Sequence, residues 1–171
     1  VPVLIFVRMV DWLAPFLVYH FFTGDEGDSI SVAVLYSVTA FLVARVAVFG
    51  VAIAGKRLAG RLSPGQYPLW GLTHFRWWVA VRFSELPDLY LLAGTPWMAA
   101  YLRALGAEVG ANAHIDRITV AAPELVTIGA GASLGTFLNI ENVRVEGGLL
   151  RVGPVTIGAE SVVGSYAVLE N

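Results

Sequence analysis

The sequence predicts an α-helical membrane hairpin, followed by amphipathic helices and a short left-handed parallel β-helix built of hexapeptide repeats. Three observations carry that reading. The chain is 57% apolar and only 14% charged, against roughly a quarter charged in an ordinary domain. Two apolar runs near the start are each long enough to cross a hydrocarbon core of ~30 Å as a helix. From Ile128 an aliphatic residue then recurs at six-residue steps: Ile128, Leu134 and Ile140, and again Ile157, Val163 and Leu169, with glycine after most of them.

The first span covers residues 2–22 and is apolar apart from Arg8, Asp11 and His20; the second covers 30–55 and is interrupted by Arg45. Between them lies a short acidic turn, Thr23-Gly24-Asp25-Glu26-Gly27-Asp28-Ser29, with Asp28 or Ser29 as the N-cap of the second helix. Lys56, Arg57 and Arg61 follow at once. By the positive-inside rule that basic end is cytoplasmic, so the chain is multi-pass in the cell membrane with everything after the hairpin in the cytoplasm. Folding the hairpin about its turn brings Arg45 to about the height of Arg8 and Asp11. Ionised groups in lipid need protein or water around them, and a helix-packing charge cluster is favoured over a proton or substrate path. The organisation expected is a helix pair in 1–62, amphipathic or interfacial helices in 63–107, and the β-helix in 108–171.

In the middle region Ser63-Pro64-Gly65-Gln66-Tyr67-Pro68 reads as a break. Leu69 to Phe83 carries Trp70, Trp77 and Trp78 beside His74, Arg76 and Arg82, a mixture suited to the headgroup region. Glu85, Pro87 and Asp88 interrupt it. Thr95 and Pro96 then start a helix that runs from Trp97 to Leu105 and stops at Gly106. That helix is expected to cover the first coil of the β-helix, hiding an edge that would otherwise stay unpaired.

In the β-helix the aliphatic residue fills the axis, and the glycine after it is expected to permit the bend between faces. Val109-Gly110 and Ile115 begin the ladder. Ala121-Ala122-Pro123-Glu124 and Glu146-Gly147-Gly148 break the register and should leave as loops, where binding groups tend to sit. The ladder stops after Leu169 without a cap, and Val1 opens directly on an apolar run, so the chain reads as an excerpt of a longer polypeptide.

Several chemistries are excluded. Without cysteine there is no disulfide, thiolate nucleophile or Cys-ligated zinc. A net charge of −2 and the lack of a basic stripe argue against nucleic acid. The three histidines, His20, His74 and His114, are too scattered for a zinc site. Acyl transfer on a hexapeptide scaffold uses a histidine as general base, and only His114 lies in the ladder, followed by Asp116. These two are the candidate catalytic residues. Asn139, Glu141, Asn142 and Arg144 cluster around Ile140 beside the second break and are the candidate substrate-binding face. Alternation along a strand puts neighbours on opposite sides, so only some of them can share a cleft.

Two stretches resemble a known family: Tyr67-Pro68-Leu69-Trp70 through Leu91-Leu92-Ala93-Gly94-Thr95-Pro96 to Leu105-Gly106-Ala107-Glu108-Val109-Gly110, and the pair Pro123-Glu124-Leu125-Val126-Thr127-Ile128-Gly129 and Gly153-Pro154-Val155-Thr156-Ile157-Gly158. They are similar to the membrane-embedded C-terminal region of nonribosomal peptide synthetases of the ε-poly-L-lysine synthetase type. The resemblance implies an acyltransferase-like module that joins a carrier-bound aminoacyl group to a free amino acid or a growing homo-oligomer. It implies no directly bound cofactor here, with phosphopantetheine on a carrier domain and ATP at an adenylation domain elsewhere in the full chain. The implied partners are the lipid bilayer, the carrier domain and sibling hexapeptide units, the last arranged with this one as a pseudo-trimer. Some family members carry Gln-Thr-His where this chain has Leu138-Asn139-Ile140-Glu141-Asn142, so the unit lacks that histidine. Two other readings stand beside this one: a membrane-tethered acyltransferase using acyl-CoA, and a non-catalytic scaffold that docks the carrier domain.

Overall fold

The computed structural model describes residues 2–24 and 29–171, the side chains of residues 2–4, 8 and 11 excepted. Two helices come first, α1 (Pro2–Phe21) and α2 (Ile30–Ala59), packed against one another. Near the turn Phe22 stacks on Tyr36, with ring centroids 4.7 Å apart. Of these, α2 is long and apolar enough to cross a membrane. Ser29 holds the N-cap position of α2 in extended conformation but makes no side-chain cap bond. The acidic positions 25–28 and the side chains of Arg8 and Asp11 lie outside the described residues, and with them the expected charge cluster.

At 30 residues and ~1.5 Å each, α2 is ~45 Å long, some ~15 Å more than a hydrocarbon core needs. Its C-terminal end is packed against protein. Ala52, Gly55 and Lys56 are buried there. Gly55 lets the ring of Phe83, on α3 (Leu72–Ser84), lie directly on the helix backbone. Ala52 packs against Tyr101 and Leu105 of α4 (Pro96–Leu105), and Phe49 meets Tyr101 edge to face. Farther up, Leu35, Leu42, Val43 and Val46 stay exposed. Toward the end of α2, Ala52 and Gly55 are thus packed on α4 and α3, while Val51 and Leu58 stay exposed.

Arginines from neighbouring elements meet the carbonyls at these helix ends. Arg76 donates to the carbonyl of Ala59, and Arg57 reaches Ala104 O at the end of α4. Both satisfy carbonyls that a helix terminus leaves unpaired. As expected, α4 opens with Thr95 and Pro96 and closes at Gly106 in the left-handed conformation. Met98, Ala99 and Leu102 of α4 are buried in the core of the strand region, over its first strands.

The strand region begins with an element that the sequence reading missed. Gly65–Pro68 forms β1, where a break was expected. Its two prolines tolerate an edge position: Pro64 precedes the strand and Pro68 ends it. Three short strands follow α4: β2 (Glu108–Val109), β3 (His114–Ile115) and β4 (Ile118–Val120). Then come β5 (Val126–Ile128), β6 (Ser133–Leu134) and β7 (Leu138–Glu141), a hairpin of β8 (Val143–Glu146) and β9 (Leu149–Val152), and β10 (Val155–Ile157), β11 (Val162–Val163) and β12 (Val168–Glu170). They pair as three parallel sheets, β2-β5-β10, β3-β6-β11 and β4-β7-β12, a β-helix-like arrangement. The register stacks Val109 on Ile128 on Ile157, Ile115 on Leu134 on Val163, and Val120 on Ile140 on Leu169. The six-residue ladder is thus the core, with Leu134, Leu138 and Ile140 fully buried.

The glycines that follow the ladder residues do something other than expected. Gly110, Gly129 and Gly135 do not adopt the left-handed conformation. A Cβ on Gly110 would fall on the backbone of Ala130, and one on Gly129 on that of Ala159. These glycines let one strand level approach the next. The turns instead use left-handed Asn112, Gly131 and Glu160 at one corner, and Phe137 and Tyr166 at another.

The second break leaves as the β8–β9 hairpin, turned by Gly147 and Gly148, and β1 adds to it antiparallel. At the first break residues 123–125 form a 3-10 turn. Asn142, fully buried, accepts from Ala122 N (3.0 Å) and donates to Ala122 O (2.7 Å). Glu124 points inward. Its Oε1 accepts from Lys56 Nζ (2.9 Å) and from Leu62 N (2.8 Å), while Oε2 lies 2.9 Å from the same ammonium; both side chains are almost wholly buried.

Two outcomes follow from this packing, both read by thermal unfolding of the full-length protein in detergent. Gly129→Ala should lower the midpoint sharply, whereas Gly50→Ala, within α2 and with nothing within 4 Å of its Cβ, should not lower it. Lys56→Met and Glu124→Leu should each cost ~3–5 kcal/mol, because each strands a buried charge, and the double variant should recover much of that loss.

Candidate functional site

His114 lies on β3 beside the start of α4. Gly94 N donates to Ile115 O (3.0 Å), fixing that start against the strand. The ring of His114 faces Gly94, where an added Cβ would touch Cε1. Here Thr95, Pro96, Ala99, Arg103, Asn112 and His114 line a cleft of about 310 Å³. Arg103 is held by the carbonyls of Val109 and Gly110, at 3.0 and 2.8 Å. Asp116 does not orient the histidine: its carboxylate accepts from Arg117 N at 2.9 Å. His114 is exposed and keeps its imidazole open to the cleft. A histidine without a carboxylate partner is a weaker general base, since no second group fixes its tautomer.

The second set of candidates sits on a different sheet. Asn139 and Glu141 share one side of β7, and the amide of Asn139 donates to the carboxylate of Glu141 at 2.8 Å. Asn142 faces inward and uses both ends of its amide on Ala122, so it has no group to offer a ligand. Arg144 on β8 makes a forked pair with Glu170 of β12, at 2.9 and 3.2 Å. The structure therefore joins Asn139 to Glu141 and turns Arg144 to Glu170, but it does not gather the four around one cleft or near His114.

A larger cavity, about 480 Å³, opens where α1 and α2 meet the strand region. None of the sequence candidates lines it. Its polar walls come from Arg45 on α2, Glu85 and Asp88 after α3, Tyr101 on α4, Arg117 just before β4 and Thr119 on it. Arg45 lies over the ring of Phe41 and Arg117 over that of Phe137, at 5.2 and 5.0 Å. Glu85 pairs with Arg82, and Asp88 accepts from Tyr90 N. Burial raises the Tyr101 phenol far above its ordinary pKa, so it remains a neutral donor, bonded to Ser84 O at 3.0 Å. In the sequence the signal was the charged interruption at 85–88 between two helical runs. Read only as a helix break, it gave no hint that Arg117 would arrive opposite.

Among the described residues no group of three or more His, Asp or Glu gathers as a metal ion would need. No protein-family model and no solved structure matches the chain. A curated protein does: the delta-poly-L-ornithine synthetase of Acinetobacter baumannii strain AB307-0294 is 44% identical over 171 residues, which span 99% of this chain and 13% of that protein. The match runs through the helices and all three parallel sheets, as did the resemblance in phrasing from Tyr67 to Gly158. This chain is thus a homologue of part of a poly-amino-acid synthetase of the ε-poly-L-lysine synthetase type.

Proposed function

We propose that the chain is a membrane-anchored module of a poly-amino-acid synthetase, serving peptide-bond formation between a carrier-bound aminoacyl group and a free amino acid or growing oligomer. The relationship to the poly-ornithine synthetase over nearly the whole chain is the observation that carries this. In this reading α1 and α2 form the transmembrane hairpin, and residues 63–107 form the interfacial layer. The strand region is a left-handed hexapeptide β-helix on the cytoplasmic side, and phosphopantetheine on a carrier domain delivers the acyl group. Sibling units in the same chain would close a pseudo-trimer around shared sites.

The chemistry required is modest. A thioester is already activated, so the protein must align the attacking amine and take its proton. In the cleft of β3 and α4, His114 is the group able to accept that proton, with Thr95 and the edge of Arg103 beside it. Asp116 accepts from Arg117 N and makes no hydrogen bond to that imidazole.

The absence of a carboxylate behind His114 favours a second reading, a scaffold that docks the carrier domain and leaves chemistry to its siblings. Substituting His114→Ala in the full-length protein separates the two. Polymer yield should fall ~100-fold or more, the range for losing a general base, while amino-acid-dependent ATP–pyrophosphate exchange stays at the wild-type rate. Unchanged yield and product length would favour the scaffold.

A further inference from the structure

The 480 Å³ cavity between the helix pair and the strand region is not used by the chemistry assigned to His114. Its volume lies within the ~300–1,000 Å³ of small-molecule sites. Charges of both signs line it, with the guanidiniums of Arg45 and Arg117 and the carboxylates of Glu85 and Asp88. A wall of one sign would select a simple anion or cation. Walls of both signs suit a small molecule that carries both. The guanidinium fork matches a carboxylate, and the carboxylates match an ammonium.

The position adds to this. Arg45 lies four residues before Phe49, where α4 begins to claim α2. The cavity therefore opens at the level where α2 passes from exposed apolar surface to protein contact. A solute could reach it without crossing the packed strand core.

We propose that this cavity binds a free amino acid as its zwitterion, with its carboxylate on the Arg117 side and its ammonium toward Glu85 and Asp88. The inference rests on the synthetase reading for its biological sense, since such a module consumes free amino acid, but the site itself is argued from its walls alone.

The chain has no cysteine, which gives a direct test. Thr119→Cys places a thiol on the cavity wall, and Val162→Cys places one on the exposed surface of β11 as a control. Maleimide labelling of each is followed in the full-length protein by mass spectrometry of the peptide that holds it. Millimolar L-ornithine should slow labelling at 119 several-fold and leave 162 unchanged. Putrescine, which lacks the carboxylate, and pentanoate, which lacks the ammonium, should protect little. Arg117→Gln should abolish the protection while labelling at 162 stays normal. No protection by ornithine, or equal protection by putrescine, overturns the proposal. Polymer synthesis by the wild type, measured beside it, reports separately on the synthetase reading.

Discussion

The architecture turns on one buried ion pair. Lys56 stands on the last turns of α2 and Glu124 on the 3-10 turn between the first and second strand levels, 68 residues apart in the chain. Their side chains are almost entirely out of water. Desolvating two charges is costly and is repaid only when the remaining hydrogen-bonding groups are also met. Here they are largely met: the same carboxylate takes Leu62 N, and the ammonium also reaches Gly60 O at 3.4 Å. An apolar contact would tolerate a slip of several ångströms. A buried pair would not, so it fixes where the helix meets the strand region and in what orientation.

That constraint explains features elsewhere. With the end of α2 fixed at Glu124, Gly55 must accept the ring of Phe83, and Ala52 must leave room for Tyr101. Small residues on this face of α2 follow from the close approach. Asn142 clips Ala122, two residues before Glu124, and so steadies the turn that presents the carboxylate. The large cavity lies beside this junction, walled by elements that the junction holds together.

The core was legible in the sequence because it is periodic. Ladder residues at six-residue steps predicted the strands, and the register confirms the stacking of Ile128, Leu134 and Ile140 on their counterparts. The cap of α4 was legible because Thr95, Pro96 and Gly106 each have a local reason to be there. What stayed hidden was long-range. Glu124 and Lys56 are unremarkable until the fold brings them together, and Lys56 read instead as a topology signal. β1 was hidden because pairing with β9, where Tyr67 meets Leu150 83 positions on, is not a local property. Of the site candidates, His114 faces a cleft, while Asn142 proved to be internal; nothing in the one-dimensional pattern distinguishes an inward amide from an outward one at a strand end.

In the membrane-anchored reading proposed above, α2 is divided, with its first two-thirds in lipid and its last third clamped by α3, α4 and the Lys56–Glu124 pair. Spin labels placed singly at Leu35, Leu42, Val46 and Leu58 of the full-length protein in lipid nanodiscs test this by their accessibility to oxygen and to a polar nickel reagent. Labels at 35, 42 and 46 should favour oxygen, with 42 the deepest and 46 shallower, and the label at 58 should favour nickel. Depth that continues to increase past 46 and leaves 58 in the hydrocarbon core would contradict the account.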